Sequence, residues 1–417
     1  MEAGAVRDVA KLVVPRVGRV VERADGQVPF QVVDAAGQEV PAVSDFLREM
    51  AACDAPLTTL RSYSYELLSW LRFLSAAEVT WDRATRAEAR DYALWLAQAR
   101  KPHRQRRPDS PAPGTVNAVT GKQYPDVTYA VTTRRHARAV IHAFYEYHRA
   151  VNGRPLLNPF PATRRGGDGQ VNLHHNPMRP WLRPGGPAPY QPKAPRRVPR
   201  AIPDERFNEL FAALASNRDR ALLAFWISTG ARAAELLTVV EGRVDPPSQL
   251  AGVVRKGSRA VQMLPASADA FVWLRLYQHG LDDQVPRGPA APLWWTLRRP
   301  VRPLAYDAAR MMFGRAQAAL GSNWSLHDLR HSAAYRMAND PGMSLVDVQW
   351  VLGHAHLSTT EIYLTPNPDE LVERLLAHHA RQAEAAARPP VPAPGYRAEV
   401  LQELLGPGYG QRQETQR

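Results

Sequence analysis

The residues best suited to chemistry lie in the last quarter of the chain: His327-Asp328-Leu329-Arg330-His331, then Leu352-Gly353-His354, then Thr359-Thr360-Glu361-Ile362-Tyr363. A packed core does not call for so many polar groups. Imidazoles, a guanidinium and a phenol gathered this way make a phosphate-binding site with a nucleophile beside it. Three serines, each followed three positions later by an acid, mark helix starts of the capping-box type: Ser325 with Asp328, Ser344 with Asp347, and Ser358 with Glu361. The first predicts a helix opening at Leu326. It sets His327 and Arg330 about 60° apart around the axis, near the end where the helix dipole favours an anion. Cations there cost stability unless an anion arrives. The second start predicts a helix that Gly353 ends, so His354 enters the following turn. The third predicts a helix with Tyr363 in its second turn.

Two further groups come from far upstream. Ser228-Thr229-Gly230 breaks a buried helix, and Arg232 falls at the start of the next, with Glu235 one turn later to orient it. Lys256 occupies a Lys-Gly-Ser turn between two predicted strands, from which an ammonium reaches a ligand. Taken singly, each residue has an ordinary explanation as a surface arginine, a capping histidine, a packing tyrosine or a solvated lysine. Taken together, their order and spacing suit one mechanism.

The elements that must position these groups follow from periodicity. Residues 1–44 are Val-rich and Gly-punctuated, fit for a small hairpin or a flexible extension, and carry no assigned chemistry. From Ser44, Leu57, Leu60, Tyr63, Leu67, Leu71 and Leu74 recur at helical steps, followed by a helix through Tyr92 and Leu96 and another over residues 132–150. Residues 45–163 therefore read as an all-α domain. Residues 164–200 are rich in Pro and Gly, with Asp168 as the only acid, and read as a basic interdomain linker. Residues 201–387 form a second domain with a β-rich patch near residues 239–264, and residues 388–417 a Pro-rich tail.

With 53 Lys+Arg against 40 Asp+Glu, the 417-residue chain has a formal net charge of +13, which favours a polyanionic partner. No apolar stretch reaches the roughly 18 residues that span a bilayer, so no membrane association is expected and the protein is expected to be cytoplasmic. The single cysteine, Cys53, excludes intrachain disulfides and cysteine-based zinc clusters. No metal-ligating spacing is present, and Gly121-Lys122 lacks the context of a Walker loop.

The pattern resembles the tyrosine recombinases, or phage integrase family. Thr229-Gly230-Ala231-Arg232-Ala233-Ala234-Glu235-Leu236 is similar to its first arginine motif, and Arg255-Lys256-Gly257-Ser258-Arg259 with Leu264-Pro265 to its β-hairpin lysine motif. The run His327 to His331 resembles its His-x-Leu-Arg-His box, and Leu352 to Tyr363 its Leu-Gly-His and nucleophile box. Upstream, Thr132-Thr133-Arg134-Arg135 through Phe144-Tyr145 to Asn158-Pro159 resembles its core-binding domain. Ala231 stands where a larger apolar residue is common, and Arg259 replaces a frequent lysine.

The resemblance implies a mainly α fold with a small β-sheet: an all-helical core-binding domain (residues 45–163) and an α+β catalytic domain (residues 201–387), forming a C-shaped clamp on DNA. It implies a site-specific recombinase that cuts and rejoins DNA through a 3′-phosphotyrosyl link, without cofactor or metal. Tyr363 is the implied nucleophile, with Arg232 and Arg330 on the phosphate and Lys256 as acid toward the 5′ oxygen. His327 would move the Tyr363 proton, His354 would donate a further hydrogen bond, and Glu235 would support the site. Arg104, Arg106 and Arg107 in a basic loop, and Arg134, Arg135 and Arg138 at a helix start, are candidate DNA contacts. The implied partners are double-stranded DNA and three further copies, a homotetramer on two sites, with accessory recombination proteins, in the service of integration, excision or transposition of a mobile element. A type IB topoisomerase and a non-cutting DNA-binding regulator are the alternatives. The compact His354 to Tyr363 spacing weighs against the first and the intact polar set against the second.

Overall fold

The computed structural model describes residues 7–23, 28–102, 110–161, 188–193, 200–281, 284–364, 368–387, 400 and 403–404. Arg104, Arg106, Arg107, most of the linker and most of the tail lie outside the described residues. The chain divides into two compact units, residues 1–196 and 197–417.

The first unit opens with an antiparallel hairpin, β1 (Arg19–Glu22) and β2 (Phe30–Val33), registered from Arg19 opposite Val33 to Glu22 opposite Phe30. All four β2 residues are buried. Arg72 holds the hairpin by donating to the Val17 and Gly18 carbonyls at 2.6 and 2.7 Å, so the described N-terminal extension is built into this unit. Four helices follow: α1 (Pro41–Ala52), α2 (Leu57–Ala76), α3 (Arg86–Gln98) and α4 (Val131–Asn152). The first begins slightly before Ser44 because Pro41 suits a first helical position, where no amide donor is needed. Gly153, at φ +64°, ends α4. Their facing stripes bury Trp70, Phe73, Tyr92, Phe144, Tyr145 and Phe160, each worth about 2–3 kcal/mol in apolar burial. The polar tips are satisfied: Trp70 donates to the Tyr145 hydroxyl at 3.1 Å, and that hydroxyl donates to the Trp81 carbonyl at 2.7 Å.

The second unit is built around α6 (Asn217–Thr229), which is buried on nearly every side, with Leu222, Leu223, Phe225 and Trp226 in the core. Around it stand α5 (Asp204–Ala212), the short α7 (Ala233–Leu237), α8 (Ala268–His279), α9 (Tyr306–Ala319), α10 (Leu326–Ala338) and α11 (Leu345–Leu352). The anticipated β patch is a three-stranded antiparallel sheet, β3 (Val244–Asp245), β4 (Leu250–Val254) and β5 (Val261–Pro265), with Lys256 in the β4–β5 turn. Helix α12 (Pro368–Ala387) follows. The capping boxes at Ser325 and Ser344 form. The helix expected after Ser358 does not. Residues Leu357–Thr359 and Glu361–Leu364 form two 3₁₀ turns instead. The reason is local: Thr359 and Ile362 are β-branched and poorly suited to an α-helix, and the Thr360 hydroxyl is taken by His354 at 2.9 Å.

Candidate active site

The site rests on three places where the chain turns sharply. Gly230 ends α6 at φ +60°, a left-handed backbone that glycine takes without strain. A Cβ there would meet Leu352 at 3.0 Å and Met337 at 3.1 Å, so α6, α10 and α11 close on one point. Gly353 ends α11 at φ +61°, and a Cβ on it would meet the Arg255 guanidinium at 3.0 Å. The third turn is the β4–β5 hairpin, where Gly257 takes φ +107° and Lys256 stands exposed.

Glu235 is the hub. It is 3% exposed and accepts the Arg232 amide (3.1 Å), the Arg232 guanidinium (2.7 Å), the Arg255 guanidinium (3.0 Å) and the Lys256 amide (3.1 Å). Burial works to raise its pKa, yet the Lys256 amide and the Arg232 donors hold it below the ordinary carboxylate range. One carboxylate thus fixes the start of α7 and the base of the lysine hairpin together. Arg255 extends the brace. Its Nε donates to Gln262 at 2.6 Å, another nitrogen donates to the Val351 carbonyl, and Gln262 donates to the Trp350 carbonyl at 3.0 Å. The hairpin is thereby bolted to the end of α11, directly beneath His354.

Arg330, 3% exposed on α10, donates to the Gly230 carbonyl (2.7 Å), the Leu352 carbonyl (2.6 Å) and His354 Nε2 (3.0 Å). A guanidinium only donates, so Nε2 is the acceptor and Nδ1 carries the proton toward the Thr360 hydroxyl. Burial, and next the nearby Arg232, lower the Arg330 pKa to about 10. Burial followed by Arg330, Arg232 and Arg255 lowers that of His354 to about 4, leaving a neutral imidazole at pH 7. These depressions record burial first and, after it, cations that repel one another.

Tyr363 is 4% exposed in the second 3₁₀ turn, packed with Ala334, Val348 and Leu352. Its hydroxyl meets His331 Nδ1 at 2.8 Å, and its ring lies parallel to that of His354 at 6.4 Å. Burial raises its pKa, while Arg330 and Arg232 pull it back. His327, exposed one turn earlier on α10, touches the His331 ring edge-on at 4.3 Å.

Of the residues singled out in the sequence, Arg232, Glu235, Arg330, His354 and Tyr363 converge here, and Lys256 joins through its backbone amide. His331, Arg255, Gln262 and Thr360 carry contacts to which the sequence had assigned no role. The available signals were adjacency to Lys256 for Arg255 and the i, i+4 spacing from His327 for His331. In the first unit, Arg138 donates to the Pro189 carbonyl (2.9 Å) and to the Pro161 carbonyl, while Arg135 is exposed. The Arg134 Nε is buried without a hydrogen-bond partner among the described residues, beside a cavity of about 300 Å³ that Arg138, Phe160 and Tyr190 also line. Among the described residues no helix is long and apolar enough to cross a membrane, and no three His, Cys, Asp or Glu are grouped to hold a metal.

Residues 201–370 match the family described as phage integrase. Curated relatives include the tyrosine recombinase XerD of Xanthomonas campestris pv. campestris, 30% identical over 207 residues, and the tyrosine recombinase XerC of Corynebacterium efficiens, 30% identical over 199 residues. Each match covers 46% of this chain and 62% of the relative. Similar folds occur in the XerH site-specific recombinase bound to palindromic difH substrate (TM-score 0.52, 16% identity, 78% of this chain and 81% of that one). Another is the Tn1549 transposon integrase in complex with circular intermediate DNA (TM-score 0.52, 12% identity, 80% and 98%). The arginine, histidine and tyrosine cluster lies inside the span, residues 201–370, that matches the phage integrase family, and over its C-terminal part the chain is similar to the tyrosine recombinases.

Proposed function

We propose that the protein is a site-specific DNA recombinase that exchanges strands through a 3′-phosphotyrosyl intermediate. The observation that carries this reading is the convergence of Arg330, His354 and Tyr363 around the start of α10, beside an Arg232 held by Glu235. Tyr363 attacks the scissile phosphate, and the bond energy is kept in the phosphotyrosyl ester for religation. Arg232 and Arg330 stabilise the charge that grows on the non-bridging oxygens. Lys256, on its exposed turn, protonates the departing 5′ oxygen. An anion between the arginines offsets the part of the His354 depression that Arg330, Arg232 and Arg255 add to burial. The imidazole donates to the phosphate once Nε2 gives up its bond from Arg330 and carries a proton.

The reading extends to double-stranded DNA as substrate, to assembly of four copies on two sites, and to the service of a mobile element. The exposed Val372, Leu375 and Leu376 on α12 support packing against another copy. The test uses a DNA substrate whose cleaved end diffuses away and traps the covalent adduct. Wild type is expected to accumulate adduct with or without EDTA, and Tyr363→Phe to bind DNA and give none. Adduct from Tyr363→Phe would defeat the nucleophile assignment. Truncation before α12 is expected to spare cleavage and abolish strand exchange.

A further inference from the structure

We propose that His331 is the group that receives the Tyr363 proton during cleavage, a role that rests on the recombinase reading above. The phenolic oxygen and His331 Nδ1 are 2.8 Å apart, within direct proton-transfer reach. Tyr363 is buried in an apolar cluster of Ala334, Val348 and Leu352, where a phenolate formed without an acceptor is disfavoured. His331 sits four residues after His327 and one after Arg330, so α10 presents the phosphate clamp and the proton acceptor together. The groups facing His331 are His327 on its own helix and Tyr363 on the 3₁₀ turn. His354, stacked on Tyr363, and the neighbouring Arg330 also lie close by. His327, touching the ring of His331 from the exposed side, holds that ring in line with the phenol.

The step balances. The Tyr363 proton passes to His331 Nδ1 as the phenolic oxygen bonds to phosphorus. The bond from phosphorus to the 5′ oxygen breaks, and that oxygen takes a proton from Lys256 Nζ. Religation reverses both transfers.

Single-turnover cleavage by the full chain, measured from about pH 5 to 9 around the histidine range, tests this. His331→Asn keeps an acceptor near the Nδ1 position but cannot take the proton at these pH values. It is expected to bind DNA, to cleave about 100-fold or more slowly at neutral pH, and to lose the acid limb of the profile, which His327→Asn retains. A substrate with sulfur in place of the bridging 5′ oxygen has a leaving group that needs no proton. It is expected to restore Lys256→Ala and to leave His331→Asn slow. Should His331→Asn fold poorly, His331→Gly with added imidazole supplies the base in trans, and recovered cleavage is expected. An acid limb and a rate within about threefold of wild type in His331→Asn would overturn the proposal, as would equal rescue of both variants by sulfur. Adduct formation by Tyr363→Phe would overturn the recombinase reading instead.

Discussion

Both units carry arginines whose guanidiniums donate to backbone carbonyls. After burial, each has one depressed by a neighbouring arginine, Arg72 by Arg16 and Arg330 by Arg232, but in the second unit the effect extends to a histidine. In the first unit Arg138 clasps the carbonyls of Pro161 and Pro189, and its pKa is lowered by burial alone. In the second, Arg330 also donates to two carbonyls, but after burial its largest perturbation is another arginine, Arg232. Arg232 and Arg255 pair with one carboxylate, Glu235, which acts on Arg330 only at longer range, and the charge of all three arginines reaches His354. A carbonyl satisfies an arginine's hydrogen bonds without neutralising it. One such arginine is a structural clasp, whereas three close together, two of them on a single carboxylate, form a site that favours an anion.

The largest effect that would break this contrast is catalytic. Arg330→Lys, which keeps the charge and loses the fork, is expected to slow covalent adduct formation about 100- to 1000-fold; a loss of only a few fold would make Arg330 another clasp. Next, Glu235→Ala leaves Arg255 buried beside no anion, and urea unfolding is expected to show a loss of about 3 kcal/mol. Arg138→Ala removes two carbonyl contacts and is expected to cost about 1–2 kcal/mol in the same measurement. Acidification gives a smaller signal. The His354 pKa falls from about 6.5 to about 4 on folding, so the unfolded chain binds the extra proton first. Stability attributable to this residue is present above pH 6.5 and drains away as pH falls toward 4, and thermal melts of His354→Gln are expected to lack that component. The smallest effect is on DNA affinity. Arg135→Ala is expected to reduce the salt slope by about one unit and Arg138→Ala to leave it unchanged.

Much of this site was legible because it uses short-range rules. Gly230 and Gly353 announce helix ends, Ser325 and Ser344 announce helix starts, and those boundaries already aim Arg232, Arg330 and His354 inward. The helix expected at Ser358 gave way to 3₁₀ turns where β-branched Thr359 and Ile362 disfavour an α-helix and the Thr360 hydroxyl pairs with His354. The basic face of α4 was legible as charge, but the docking of Pro189 onto Arg138 depends on a segment 51 residues away.

The sequence by itself determined the types and order of the reactive groups, the places where helices begin and end around them, and the excess of positive charge. Those are properties of neighbours along the chain. Only the tertiary structure decided that Glu235 would tie Arg232 to the lysine hairpin, that Arg255 would brace that hairpin against the turn bearing His354, and that His331 would be the histidine to meet the Tyr363 hydroxyl. Each is a contact between groups separated by a turn or more of chain. Whether a guanidinium is a clasp or a clamp depends on which acceptors packing brings to it.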